Sequence, residues 1–180
     1  MQNSLIDALD KLTFSSDVQT RWDAAVGVAN SFGIKSVLVA NAHGNSKDLV
    51  WLNTNMPDAW MDEYLHENYL QIDSILQGLV SAKKIFRWYP GCLHRDDAAS
   101  KKHWDMDHGL RQAGFGTLIG SRYCDTDQYG SYVTLGFEPN TERSFSSNEL
   151  DLKLFAAVLA TNIEAPLPTR ANQTLTGSTL

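Results

Sequence analysis

Residues 115–138, FGTLIGSRYCDTDQYGSYVTLGFE, decide the fold. Two runs carrying Val, Ile, Thr, Tyr and Phe, Phe115–Tyr123 and Ser131–Glu138, flank a polar stretch, Asp125–Gly130, that reads as a turn. Runs joined this closely predict antiparallel neighbours, because a parallel pair needs a crossover of a dozen residues or more. The same signal recurs upstream. Ile34–Ala42, rich in Val, Leu and Ala, and Asp48–Thr54 are expected strands around a Gly/Asn turn, and Ile85–Tyr89 is a short fifth.

Helical periodicity fills the intervals. Ser4–Phe14 predicts a short helix. Ser16 with Gln19 has the form of a capping box, and Val18, Trp22, Ala25, Ala29 and Phe32 follow at helical spacing, so residues 17–32 are an expected amphipathic helix ended by Gly33. Asn55 is the expected cap of a helix with Pro57 in its first turn. Asp73 opens another, with Ile72, Ile75, Leu76 and Leu79 as its apolar side, and Asp96–Gln112 reads as a longer one. Ser146 with Glu149 starts a last helix through Ile163, striped by Leu150, Leu154, Phe155, Val158 and Leu159. Strand pairs with helices before and after them give an α/β (α+β) chain: a three-layer α/β/α sandwich with a central antiparallel sheet of about five strands. One domain over residues 1–165 is expected, followed by a flexible C-terminal tail, 166–180, rich in Thr, Asn and Ser.

Composition narrows the function classes. The formal charge is −6 and the basic residues are scattered, with Lys83, Lys84 and Arg87 the tightest group, which argues against direct nucleic-acid binding. No apolar run approaches the roughly 20 residues that span a bilayer, and MQNSLIDALDKL has no signal-peptide character, so a cytoplasmic location away from membranes is expected. Cys92 and Cys124 lie far apart without CxxC spacing and are expected free thiols.

An enzyme needs a nucleophile with its base, a metal cluster or paired acids. The only dense His/Asp group is His103, Asp105, Asp107 and His108; on a helix the first and third share a face and His108 points elsewhere. With no HExxH, GxSxG, P-loop or GxGxxG, the group reads as a solvated helix face, and no metal, cofactor or catalytic residue is expected.

What stands out is a set of aromatics around one acid: Trp60, Tyr64, Tyr69, Asp73, Trp88 and Trp104. Rigid apolar walls with a few directed donors and one strong acceptor are the ingredients of a small-molecule pocket. Each residue also has a plainer reading. Trp60 and Tyr64, four apart on a helix, fit a core stripe; Asp73 fits an N-cap; Trp88 and Trp104 fit core plugs.

The set as a whole, W-x3-Y-x8-D-x14-W from Trp60 to Trp88 followed by Ala113-Gly114-Phe115, resembles the ligand-binding half of LuxR-type quorum-sensing regulators over residues 15–165. The resemblance implies a signal-sensor domain that binds an N-acyl-homoserine lactone or a similar amphipathic molecule on one side of the sheet. Carried over by position, Trp60 would donate to the lactone carbonyl, Asp73 would accept from the amide N–H and Tyr64 would donate to the amide carbonyl. Thr134 would add a strand hydroxyl, with Tyr132 and Gly136 leaving room beside it. Trp88 and Trp104 would wall the head group; Leu38, Val50, Ile75, Leu76 and Leu110 would face the acyl chain. Ser74 stands where the family usually has proline. Met56 stands where several members have a contacting tyrosine, and Ser121–Cys124 replaces a more apolar segment. Members continue into a helix-turn-helix domain, which residues 166–180 do not resemble. The chain is therefore expected to be either an excised domain or a stand-alone copy, a homodimer or the heterodimer partner of a related regulator. A PAS- or GAF-like sensor of another ligand is the alternative reading.

Overall fold

The computed structural model describes residues 2–15, 17–43, 49–81, 85–124, 129–141 and 149–164. Residues 125–128 of the expected Asp125–Gly130 turn, the Ser146 cap, Lys83, Lys84 and the 166–180 tail lie outside these residues, while Tyr129 and Gly130 begin a strand. Two helices, α1 (Gln2–Phe14) and α2 (Val18–Ser31), lead into strands β1 (Ser36–His43) and β2 (Leu49–Thr54). Helix α3 (Asp58–His66), a 3-10 turn (Tyr69–Gln71), helix α4 (Ser74–Ser81) and strand β3 (Phe86–Trp88) follow. Helix α5 (Lys101–Gln112), the pair β4 (Thr117–Cys124) and β5 (Tyr129–Phe137), and helix α6 (Glu149–Asn162) complete the order.

The five strands form one antiparallel sheet in the order β2-β1-β5-β4-β3. Alternation along each strand divides its side chains between two cores. Val37, Val39, Ile119, Val133, Leu135 and Phe137 face α1, α2 and α6. Leu38, Ala40, Leu118 and Tyr132 face α3, α4 and α5. The expected three-layer sandwich is thus observed, with a different set of helices on each face.

Several local expectations change for identifiable reasons. Asp17, not Ser16, caps α2, its carboxylate accepting from the Thr20 N–H at 2.8 Å. Asn55 does not cap α3, where no side chain caps; its Oδ1 accepts from the Val37 N–H at 2.7 Å and ties the turn to β1. Helix α5 starts at Lys101 rather than Asp96, because Ser100 takes the cap, accepting from the His103 N–H at 3.1 Å. At its other end Gly114 adopts φ +89°, open to a residue without Cβ. There the Lys35 ammonium donates to the carbonyls of Ala113 and Gly114 at 3.3 and 3.2 Å. On α6 the buried stripe is Leu152, Phe155, Ala156, Leu159 and Ile163, rotated from the expected one. Leu150 and Leu154 are 68% and 47% exposed. The run is apolar all round, so periodicity alone could not fix its facing.

Candidate functional site

Helix α3 carries Trp60 and Tyr64 on one face because they are four residues apart. The 3-10 turn then lays Tyr69 beside them. The Trp60 and Tyr69 rings stack at 5.9 Å between centroids, and Tyr64 meets both edge-on near 6 Å. Directly after the turn comes Asp73. Its Oδ1 accepts from the Ile75 and Leu76 N–H groups at 2.8 and 3.1 Å, capping α4, while Oδ2 accepts from the Tyr64 hydroxyl at 2.8 Å. The N-cap reading and the inward-acid reading of Asp73 therefore both hold. Burial, with the Asp73 charge beside it, pushes the Tyr64 phenol well above its ordinary value, so it remains a neutral donor.

These groups open on a cavity of about 80 Å³ between the sheet and helices α3, α4 and α5. It brings together Leu38, Met56, Trp60, Tyr64, Asp73, Ile75, Leu110 and Thr134, all expected at the ligand. Leu76 and Tyr132 line it as well. The walls are otherwise apolar, as small-molecule sites generally are. Trp60 and Thr134 both line it, and among the described residues nothing accepts from the Trp60 indole N–H or bonds the Thr134 hydroxyl.

Three residues expected at the ligand do not line the cavity. Trp88 does not line the cavity; it stacks on Phe86 and turns its indole N–H to Asp107 Oδ1 at 2.7 Å. Trp104 lies outside too, stacked on His108 at 3.9 Å with the Arg95 guanidinium over it. Val50 is 43% exposed. A register shift opposite Asn41 and Ala42 makes Ala42 pair with Leu49 and Asn41 with Trp51, so Val50 falls out of the alternation and Leu49 faces the cavity in its place. Gly136 leaves no room for ligand, because Ser36 and the Phe115 ring already fill the space over it. Tyr64 also changes role: its hydroxyl is given to Asp73 rather than left for a ligand carbonyl.

Sequence reasoning missed Met61, Met106, Leu49 and Leu118 in the lining. Met106 had a signal, standing four residues before Leu110 on the same helical face. The larger omission is Asp107, a carboxylate with 0% exposure. Besides Trp88 it accepts from the Gly91 and Leu93 N–H groups at 2.9 and 3.1 Å, fastening the 89–93 loop to α5. The expected His/Asp face thus disperses. His103 meets Ser74, Asp105 pairs with Lys101, Asp107 turns inward and His108 stacks on Trp104. Within the His103 pair, Nδ1 accepts from the Ala99 N–H at 3.3 Å. That assigns the proton to Nε2, which donates to Ser74 Oγ at 2.6 Å.

Gly109 sets how close α5 comes to α3. A Cβ there would lie 2.5 Å from Trp60 Cζ3. Gly109→Ala is therefore expected to displace the indole from its place in the cavity wall. The gain in helix propensity, about 1 kcal/mol, roughly offsets the overpacking, so unfolding should shift by under about 2 kcal/mol. Ligand affinity should fall at least about tenfold. Denaturant titration beside calorimetric binding checks both, and an unchanged affinity would place the Trp60 ring outside the site.

The sequence matches the family model described as autoinducer binding domain over residues 17–117. Comparison with curated protein sequences finds no significant match. Among solved structures, the chain is similar to the N-acylhomoserine lactone-dependent LuxR family transcription factor CepR2 of Burkholderia cenocepacia. The TM-score is 0.73 at 15% identity, over 90% of this chain and 94% of that one. Escherichia coli SdiA gives 0.67 at 15% identity over 99% and 80%. SdiA in complex with octanoyl-rac-glycerol gives 0.63 at 13% identity over 99% and 78%. At such identities the structural likeness is one of fold.

Proposed function

We propose, from the premise that this chain belongs to the autoinducer-binding domain family, that its cavity is the receptor site for an N-acyl-homoserine lactone or a similar amphipathic signal. One observation carries the reading: an uncommitted indole N–H, an uncommitted hydroxyl and an ordered carboxylate converge on a single apolar cavity. A lactone head group joined by an amide to an alkyl tail has complementary chemistry. Trp60 donates to the lactone carbonyl. Asp73 accepts from the amide N–H. Thr134 takes the amide carbonyl, since Tyr64 is engaged in orienting Asp73. The apolar walls take the tail, at roughly 0.8 kcal/mol per buried methylene. In this reading the chain is a sensor in the cytoplasm and a small-molecule signal is its partner.

Binding without turnover is part of the proposal. Among the described residues, the Ser74–His103 pair supports it: with the proton on Nε2, His103 donates to Ser74 and is not poised as its base. Among the described residues no helix is long and apolar enough to cross a membrane.

A cavity of about 80 Å³, if left unfilled, would cost the fold about 2 kcal/mol, at about 24 cal/mol per Å³. A ligand that fills it returns this and stabilises by mass action. At a hundredfold excess over Kd the expected gain is about 2.7 kcal/mol, a rise in Tm of roughly 5–10 °C for a chain of this size. Thermal unfolding with a panel of acyl-homoserine lactones tests this, with tailless homoserine lactone as control. If no lactone raises Tm more than the tailless control does, the reading fails.

A further inference from the structure

Every methionine of the chain beyond the first residue lines the cavity: Met56, Met61 and Met106. They arrive from three places, the turn before α3, α3 itself and α5. We infer that this trio makes the receptor site adjustable, so that it accepts signal tails over a range of lengths instead of one; the inference rests on the receptor reading above.

The argument begins with space. At 10–15 Å³ per water, about 80 Å³ holds roughly five to eight waters. A head group with a long alkyl tail needs more, and a yielding wall supplies it. Part of the wall is fixed. The Trp60 ring is stacked on Tyr69 and closely approached by Gly109 of α5. Leu38 and Thr134 stand opposite each other on β1 and β5, strands paired on both edges in the middle of the sheet.

The methionines differ in kind. An unbranched thioether with three rotatable bonds changes rotamer at little cost and stays in contact while doing so. Met61 is half-buried, so its end has solvent to move toward. Surfaces rich in methionine repack around partners of different shape for this reason.

Calorimetric titration of the whole chain tests the inference. The probes are synthetic unbranched N-acyl-homoserine lactones from butanoyl to dodecanoyl, and n-alkan-1-ols of the same tail lengths. Affinity is expected to climb over the first methylenes and then level off, the longer tails staying within about tenfold of one another. In M56L/M61L/M106L, which conserves apolar volume, the profile is expected to narrow to a peak that falls at least about tenfold two methylenes to either side. M61L and M106L alone should each narrow it in part, which covers the case of a triple variant that does not fold. A sharp optimum in the wild-type protein overturns the inference and leaves the receptor reading standing. Variants as broad as wild type overturn it too. Broad binding of the alcohols without binding of lactones supports the adjustable wall and rejects the lactone. Binding of neither series sinks both.

Discussion

Asp73→Asn is expected to leave the protein folded and to weaken lactone binding by about 10- to 150-fold. The two effects separate because the carboxylate has two jobs on two oxygens. Oδ1 accepts from the Ile75 and Leu76 N–H groups, and an asparagine carbonyl oxygen does this nearly as well. Oδ2 accepts from the Tyr64 hydroxyl, whose oxygen can accept from an asparagine NH₂ instead. What the amide cannot supply is the negative charge facing a ligand N–H. A hydrogen bond to a charged group contributes about 1.5–3 kcal/mol, which is the affinity loss expected. Asp73→Ala is a blunter test. It removes the cap, about 1 kcal/mol, and strands the buried Tyr64 hydroxyl, about 1–3 kcal/mol more, so its lost binding mixes with lost stability. Urea denaturation gives the stability of both variants and calorimetry the affinity. An Asp73→Asn protein that binds as tightly as wild type removes Asp73 from ligand contact.

That double role explains why the sequence was informative here. An acid at a helix start, nine residues past a tyrosine on the preceding helix face, satisfied local and functional readings together. Trp60 and Tyr64 were likewise placed together by spacing, because the helical period fixes which side chains share a face, whereas Leu110 and Thr134 came from the family resemblance. The sheet was legible for the same reason. What stayed hidden depends on contacts made across the chain. The register shift that expels Val50 is a property of the β1–β2 pairing, not of either strand. The facing of α6 is decided by which side meets the sheet, since apolar residues ring the helix. The filling of the space beside Gly136 belongs to Phe115, twenty-one residues away in the chain. Trp88 was named for the wrong neighbour. Its indole needed an acceptor, and the available one was an aspartate that resembled a solvated residue.

Asp107→Ala is expected to cost about 2–4 kcal/mol of stability while leaving the cavity walls in place. The residue sits in mid-helix with Arg111 four positions later, the pattern of an exposed ion pair, yet none of its surface reaches solvent. Burying a carboxylate is costly unless its lone pairs are filled, and here the Trp88 indole and two loop amides fill them. Deleting the acid strands the Trp88 N–H, at about 1–3 kcal/mol. The Gly91 and Leu93 amides lose their anchor but can turn to water, which limits their share. For a chain of this length the loss corresponds to a fall in Tm of roughly 5–15 °C. Asp107→Asn, keeping one acceptor oxygen, should lose less than the alanine variant. Loosening should be local first: hydrogen exchange at Gly91 and Leu93 should accelerate well beyond that at the β1–β5 ladder. Should Asp107→Ala unfold within about 0.5 kcal/mol of wild type, the loop is held by other contacts and the buried carboxylate is not its anchor.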